Sequence, residues 1–200
     1  MEITKYDFSF TASSLRINEM VLVAKAHHAG VEVDYVNDLG GGKSSTGKRM
    51  LIEINKRLSF LNNDQLDLLI NGDLEVKKQI GFLSICKAHG YIRDFVLEVL
   101  REKLLMYDYQ ITNGDYISFF RRKYEEHEEM EKLTDVTLNK IRQVTFKILE
   151  QSGLIDTIKH KMIQPQFIDG QLLKVLINDN PNWLKIFLIT DSDIKTLAEK

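Results

Sequence analysis

The sequence predicts a mainly α-helical protein: a multi-helix body over residues 1-110, followed by a helical, winged-helix-like subdomain over 111-200 that carries a short β wing. Three observations predict it. Apolar residues recur at three- and four-residue intervals through most of the chain. Short turns rich in Gly, Asn and Asp separate these segments, which implies antiparallel helices around a shared core. Only 2 prolines interrupt 200 residues, of which 44% are hydrophobic and 28% charged, so the chain is expected to fold nearly throughout. The two parts are expected to pack closely, as two subdomains or as one domain.

Taken in order, Tyr6 to Phe10 alternate weakly, and Thr11, Ser13 or Ser14 is placed to cap a helix running to about Ala29, with Leu15, Met20, Val23 and Ala24 inside and Gly30 as its stop. Val31 to Leu39 alternates briefly and predicts a short strand or an extended connection. Asn63-Asp-Gln-Leu starts a short helix that Asn71-Gly72 closes. Leu74 to His89 and Ile92 to Met106 follow as a hairpin, with Gly90 between them. Asn113-Gly-Asp opens a helix anchored by Tyr116, Ile117, Phe119 and Phe120, which leads into a charged run, 121-132, that reads as a solvated face or hinge. Gln171 to Ile177 is the last amphipathic helix. Trp183, Ile186 and Phe187 are expected to dock back on the body, with Thr190 to Lys200 fraying.

Gly40-Gly-Gly-Lys-Ser-Ser-Thr-Gly-Lys-Arg49 satisfies the first part of a phosphate-loop pattern through Gly42 and Gly47-Lys48. The match fails at Arg49, where a Ser or Thr would supply a magnesium ligand, and the stretch before it is not a convincing buried strand. Two readings remain open. The segment is either a basic loop that feeds a helix and binds phosphate, or a mobile loop with solvated lysines. From Lys43 to Arg57 the basic residues Lys43, Lys48, Arg49, Lys56 and Arg57 face the single acid Glu53. The helix that follows would turn Leu51, Ile52, Ile54, Leu58 and Leu61 toward the core.

The most legible stretch is Leu133 to Asp156. Thr134 is an N-cap, Asp135 suits the positive end of the helix dipole, and Gly153 is a C-terminal stop. At 100° per residue Leu138, Ile141, Thr145, Ile148 and Leu149 share one face, and Asn139, Lys140, Gln143 and Lys147 share the other. Arg142 falls at the margin, where its stem would lie along the core and its head pair with an acid. Beyond Gly153, Ile158-Lys-His-Lys-Met-Ile163 alternates and stops at Pro165. Helix, glycine turn and basic strand is the order of a recognition helix and wing. The alternative is an ordinary solvated surface helix, since Lys and Gln are good helix formers.

The 27 basic and 29 acidic residues give a net charge of -2, so no global field draws the protein to nucleic acid, and any such binding must come from local clustering. The single cysteine, Cys86, allows no intrachain disulfide. Its apolar neighbours suggest a buried thiol in a reducing, cytoplasmic setting. No apolar run is long enough to span a bilayer, and MEITKYDFSF is not a leader, so no membrane partner is expected. The histidines His27, His28, His89, His127 and His160 lack metal spacing, so no metal and no cofactor is expected. Neither a serine elbow nor an activated cysteine is present, and no carboxylate pair stands out. The sequence predicts no enzyme.

Five spaced motifs carry a family resemblance: Phe8-Ser-Phe-Thr, Ser45-x-x-Lys-Arg49, Phe95-x-x-Glu-Val-Leu-Arg-Glu-Lys103, Tyr116-x-x-Phe-Phe-x-Arg-Lys123 and Leu133-Thr-x-x-Thr-x-x-Lys-x-Arg-Gln143. In order and spacing the chain from about Tyr6 to about Phe187 resembles BrxA, the small helical component of bacteriophage exclusion (BREX) defence systems. The resemblance implies a helical, non-enzymatic cytoplasmic protein that binds double-stranded DNA beside a methyltransferase, an ATPase and a phosphatase-like protein. It supplies no catalytic signature and no contact motif. The expected contacts therefore come from the helical wheel and the charge clusters. Asn139, Lys140, Gln143 and Lys147 would meet the major groove, Lys159 and Lys161 on the wing would hold phosphates, and Lys43, Lys48 and Arg49 would make a second phosphate contact. A scaffold that recruits other defence subunits through 121-132, or a binder of structured RNA, are the alternatives.

Overall fold

The computed structural model describes residues 5–199, so the leader reading at Met1 to Thr4 and the fraying expected at Lys200 lie outside it. Among the described residues ten α-helices carry the architecture: α1 Ile17–Ala29, α2 Ser44–Ser59, α3 Asn63–Asn71, α4 Leu74–Ala88, α5 Gly90–Phe95, α6 Glu102–Leu105, α7 Asn113–Glu126, α8 Asp135–Gln151, α9 Gly170–Asp179 and α10 Asp191–Ala198. Short 3-10 turns precede α1 (Ser9–Ala12), precede α8 (Glu128–Lys132) and follow α9 (Pro181–Phe187).

α4 is the centre. Ile80, Phe82, Leu83, Ile85 and Cys86 have no exposed surface, and a helix that is apolar on every side has to be wrapped by others. Burial also pushes the Cys86 thiol well above its ordinary range, so it stays a neutral small hydrophobe. α8 joins this centre through aromatic rings. Phe95 meets Phe119 of α7 edge to face at 5.0 Å and Phe146 of α8 at 5.9 Å. Such pairs fix orientation as well as burying area.

Thr134 caps α8 as the sequence predicts, and α3 and α7 are capped one residue before their expected first residues, Asn63 and Asn113. Asn62 and Gln65 form a reciprocal capping box on α3, Thr112 and Asp115 do so on α7, and Thr134 accepts from the Thr137 amide on α8. Gly153, at φ 77°, ends α8 in the left-handed region that glycine enters without strain.

Several expectations are corrected. The wing strand at 158–163 does not form. The Thr157 hydroxyl accepts from the His160 amide, its carbonyl from the Lys161 amide, and the Asp156 carboxylate from the Met162 amide, so local side-chain and backbone bonds fold a tight turn in place of a strand. Pairing among the described residues is confined to isolated bridges, Gln110 with Met162 and Ile155 with Ile163, so no winged-helix sheet is present among them. Val31 to Leu39 is no strand either. Asp34 caps a π turn, Tyr35–Leu39, that lies against α2. The first helix starts at Ile17, not at a Thr11, Ser13 or Ser14 cap, because the carbonyls of Ser13 and Ser14 are taken by the buried Arg57.

The helix expected over Ile92 to Met106 is opened by a π turn, Val96–Arg101. Arg101 reaches from that turn to the Ile189 carbonyl at 3.2 Å and to Asp191 at 2.9 Å. That ion pair, a Thr190 cap and the buried Ile194 hold α10, so the tail is a docked helix where fraying was expected. The 121-132 run is less solvated than its charges suggest: Lys123, His127 and Met130 are buried, and His127 stacks on Tyr6 at 3.6 Å.

Candidate nucleic-acid interface

The outward face of α8 is as the helical wheel predicts. Ile141, Thr145, Ile148 and Leu149 are fully buried, while Asn139, Lys140, Gln143 and Lys147 are exposed. Val144 and Phe146 widen the buried stripe. Arg142 lies at the margin, but its partners are the Asn113 side chain at 2.7 Å and the Tyr116 ring at 5.3 Å, not an acid.

The tertiary fold brings a second basic element alongside this face. The N-terminal turns of α2 and the outer side of α8 approach each other across Thr11 to Arg16, which forms the floor between them. Thr11, Ala12, Ser45, Thr46, Arg49 and Lys140 enclose an open depression of ≈ 370 Å³. It runs into a larger groove of ≈ 600 Å³ that Arg16, Lys140, Gln143, Lys147 and Ile158 line. Lys140 belongs to both. Lys140 and Lys147 stand about 10 Å apart along the helix.

The floor is rigid for a reason the sequence hides. Arg57, fully buried, donates Nη1 to the Ser14 carbonyl at 2.7 Å, Nη2 to the Ser13 carbonyl at 2.5 Å and Nε to Glu53 at 2.7 Å. Glu53 Oε1 also meets His89 Nε2 at 2.6 Å, and its Oε2 accepts from the Ser9 hydroxyl at 2.7 Å. Burial alone would raise the Glu53 carboxyl. The His89 hydrogen bond and the Arg57 charge outweigh it and pull the group from 4.5 down to about 2. The Leu15 amide donates to Gln151 at 3.0 Å, which ties the same floor to the end of α8.

The expected site residues divide accordingly. Arg49, Lys140, Gln143 and Lys147 share the groove system. Lys43 and Lys48 are exposed at the start of α2, and Asn139 at the start of α8, without lining it. Lys159 is exposed on the turn after α8. Lys161 folds inward, at φ 55°, with its ammonium 5.4 Å from the centre of the Phe146 ring. Lys56 and Arg57 leave the basic cluster, since Lys56 pairs with Asp7 and Arg57 is internal. The sequence marks Thr11 only as a helix cap and does not single out Arg16 within the first helix, and only the fold brings the two to the groove.

Two cations of this system are each paired with an acid beside it: Arg16 with Glu19 at 3.0 Å and Lys147 with Glu150 at 2.6 Å. The hydrogen bond from Lys147 holds the Glu150 carboxyl below its ordinary range, so it stays charged at neutral pH. Exposed pairs of this kind contribute roughly 0–1 kcal/mol, little enough for a phosphate to displace the carboxylate. No group of three or more His, Cys, Asp or Glu side chains among the described residues is arranged to hold a metal ion. No helix among them is long and apolar enough to cross a membrane.

The sequence model of the BrxA family matches residues 4–180. The chain belongs to the BrxA family. A protein named BREX protein BrxA from Bacillus cereus strain H3081.97 is 29% identical over 115 residues, 58% of each chain. Another of that name from Escherichia coli O9:H4 strain HS is 21% identical over 140 residues, 70% of this chain and 66% of that one. The matched part of this BrxA-family chain thus spans less than two thirds of either relative. A crystal structure of an uncharacterized protein from Magnetospirillum magneticum shares the fold, with a TM-score of 0.78 and 19% identity over 92% of this chain and 98% of that one. The matched residues take in both walls and the floor of the groove, so the groove is built within the BrxA-type part of the chain.

Proposed function

We propose that this BrxA-family chain is a non-enzymatic, cytoplasmic component of a BREX phage-defence system that binds double-stranded DNA in the groove between α2 and α8. The observation that carries the reading is the convergence of two basic clusters, distant in sequence, on one groove: Arg49 from α2 and Lys140 from α8 line the same depression. In this reading Arg49, Lys140 and Lys147 hold phosphates, Gln143 and Asn139 face base edges, and Lys43, Lys48 and Lys159 add charge at the rim, while the inward-folded Lys161 makes no contact. In this reading α8 takes the part of a recognition helix. The surface is built across the junction of the 1-110 body and the 111-200 subdomain. The partner proteins are other BREX components, a methyltransferase, an ATPase and a phosphatase-like protein among them, as the relatives' names and the family resemblance suggest.

The test is fluorescence anisotropy on a short DNA duplex across a salt series. Wild type is expected to bind with a steep salt dependence. Lys140→Glu/Lys147→Glu and Lys48→Glu/Arg49→Glu should each flatten the slope by about 1–2 units, since each pair removes cations in or beside one groove. An RNA duplex of equal length is expected to compete poorly. No binding by wild type at low salt would overturn the reading in favour of a protein scaffold. Stronger competition by RNA would overturn the choice of DNA.

A further inference from the structure

A third depression, of ≈ 350 Å³, opens where α8 ends, and Arg16, Glu19, Lys78 and Gln151 stand in its lining. Arg16 and Gln151 also line the main groove. The three depressions therefore form a series in which each shares lining residues with the next. They begin at Arg49 beside the first turns of α8, pass Lys140 and Lys147, and reach Lys78 on α4 by way of Arg16. We infer that the nucleic-acid track continues past α8 through Arg16 to Lys78, with Arg16 as a further contact residue and a sugar-phosphate backbone as its ligand. This rests on the DNA-binding reading above.

Arg16 is held where it is by the fold. Its φ of 48° is left-handed, a region that non-glycine residues occupy chiefly when their surroundings dictate it. Here the surroundings do so from both sides. Arg57 fixes the carbonyls of Ser13 and Ser14, Gln151 fixes the Leu15 amide, and α1 starts at Ile17. The side chain is left 49% exposed between two depressions, with Glu19 as its partner. Lys78 is likewise paired on the surface, with Glu75 at 2.7 Å. A guanidinium that holds a carboxylate in this way presents the same fork of donors to a phosphate, and a polyanion brings several phosphates at once. Glu19 then acts as a competitor that the ligand displaces.

Anisotropy on the same duplex tests this with Arg16→Gly, Arg16→Lys, Lys78→Gln and Glu19→Gln. Arg16→Gly and Lys78→Gln are each expected to lower the salt slope by about one unit, which makes the affinity lost between 50 and 200 mM salt roughly fourfold smaller. Arg16→Lys should keep the slope, and Glu19→Gln should tighten binding. Glycine accepts a left-handed φ freely, so the thermal midpoint of Arg16→Gly should stay at or above that of wild type, which separates lost contact from lost fold. If Arg16→Gly and Lys78→Gln both keep the wild-type slope while Lys140→Glu/Lys147→Glu loses it, the track ends on α8, and the inference falls while the DNA reading stands. Absence of binding by wild type would overturn both.

Discussion

Arg57→Ala is expected to lower the unfolding free energy by about 3–5 kcal/mol, read from urea denaturation at neutral pH. The effect is large because the guanidinium is fully buried and satisfies three acceptors at once: the Ser13 and Ser14 carbonyls and Glu53. Truncation leaves those carbonyls without a donor and a carboxylate without its principal countercharge, in a site water does not reach. Arg57→Met/Glu53→Met should cost less than Arg57→Ala, because it removes the stranded charge with the cation. Arg57→Ala should also weaken DNA binding beyond the loss of folded protein, although Arg57 is out of reach of any ligand. Its two carbonyl bonds hold the floor on which Arg16 stands.

The same network sets an acid limit to stability. The folded Glu53 carboxyl titrates at about 2, against 4.5 for the free group. A carboxyl whose pKa is depressed on folding contributes stability that is fully present above its unfolded value and is lost as pH falls toward the folded value. The contribution, on the order of 3 kcal/mol, should therefore be intact at pH 6 and drain away between about pH 4.5 and 2. Glu53→Gln should flatten that part of the profile. A wild-type profile no steeper than that of Glu53→Gln in this window would show that the buried carboxylate is not what acid attacks.

What the sequence made legible and what it hid follow one physical division. α8 could be read at both ends, and its two faces were assigned correctly, because caps and a 3.6-residue period are local signals carried by neighbours in the chain. The starts of α3 and α7 at Asn63 and Asn113 were legible for the same reason, though not their caps, Asn62 and Thr112. The groove was not, because Arg49 and Lys140 meet only through the packing of α2 and α8 on the Thr11 to Arg16 segment. Arg57 reads as one more surface cation, yet it is fully buried. Its burial depends on Glu53 one turn earlier and on carbonyls far away in sequence. The alternation of Ile158 to Ile163 did suggest a strand. What decided against it was the pair Asp156 and Thr157, whose side chains offer the backbone a turn it can close without a partner strand.

Gly47→Ala is the second large effect expected, and it bears on the one motif that most invites a nucleotide reading. Glycine inside a helix ordinarily costs about 1 kcal/mol relative to alanine, so the substitution would stabilise an unhindered α2. Here a Cβ would lie 1.8 Å from the Tyr35 carbonyl oxygen and 2.7 Å from its carbon, both backbone atoms of the π turn that packs on α2. Neither can swing aside as a side-chain tip does, so the turn and the helix must part. Overpacking of this kind costs typically 1–3 kcal/mol and more when backbone meets backbone, which reverses the sign of the propensity gain. A net loss of about 2 kcal/mol should appear as a fall of roughly 4–8 °C in the thermal midpoint. Gly114→Ala in α7 is the control, since its Cβ would meet only the Thr112 hydroxyl at 3.5 Å, an ordinary contact, and its midpoint should hold or rise. Gly47 therefore occupies its place in the G-x-x-x-x-G-K pattern because two backbones touch there, and Gly47→Ala should displace Thr46 and Arg49 and weaken DNA binding as it destabilises. If Gly47→Ala proved as stable as Gly114→Ala, the close contact between the π turn and α2 would be wrong, and the depression that Arg49 shares with Lys140 would have to be redrawn with it.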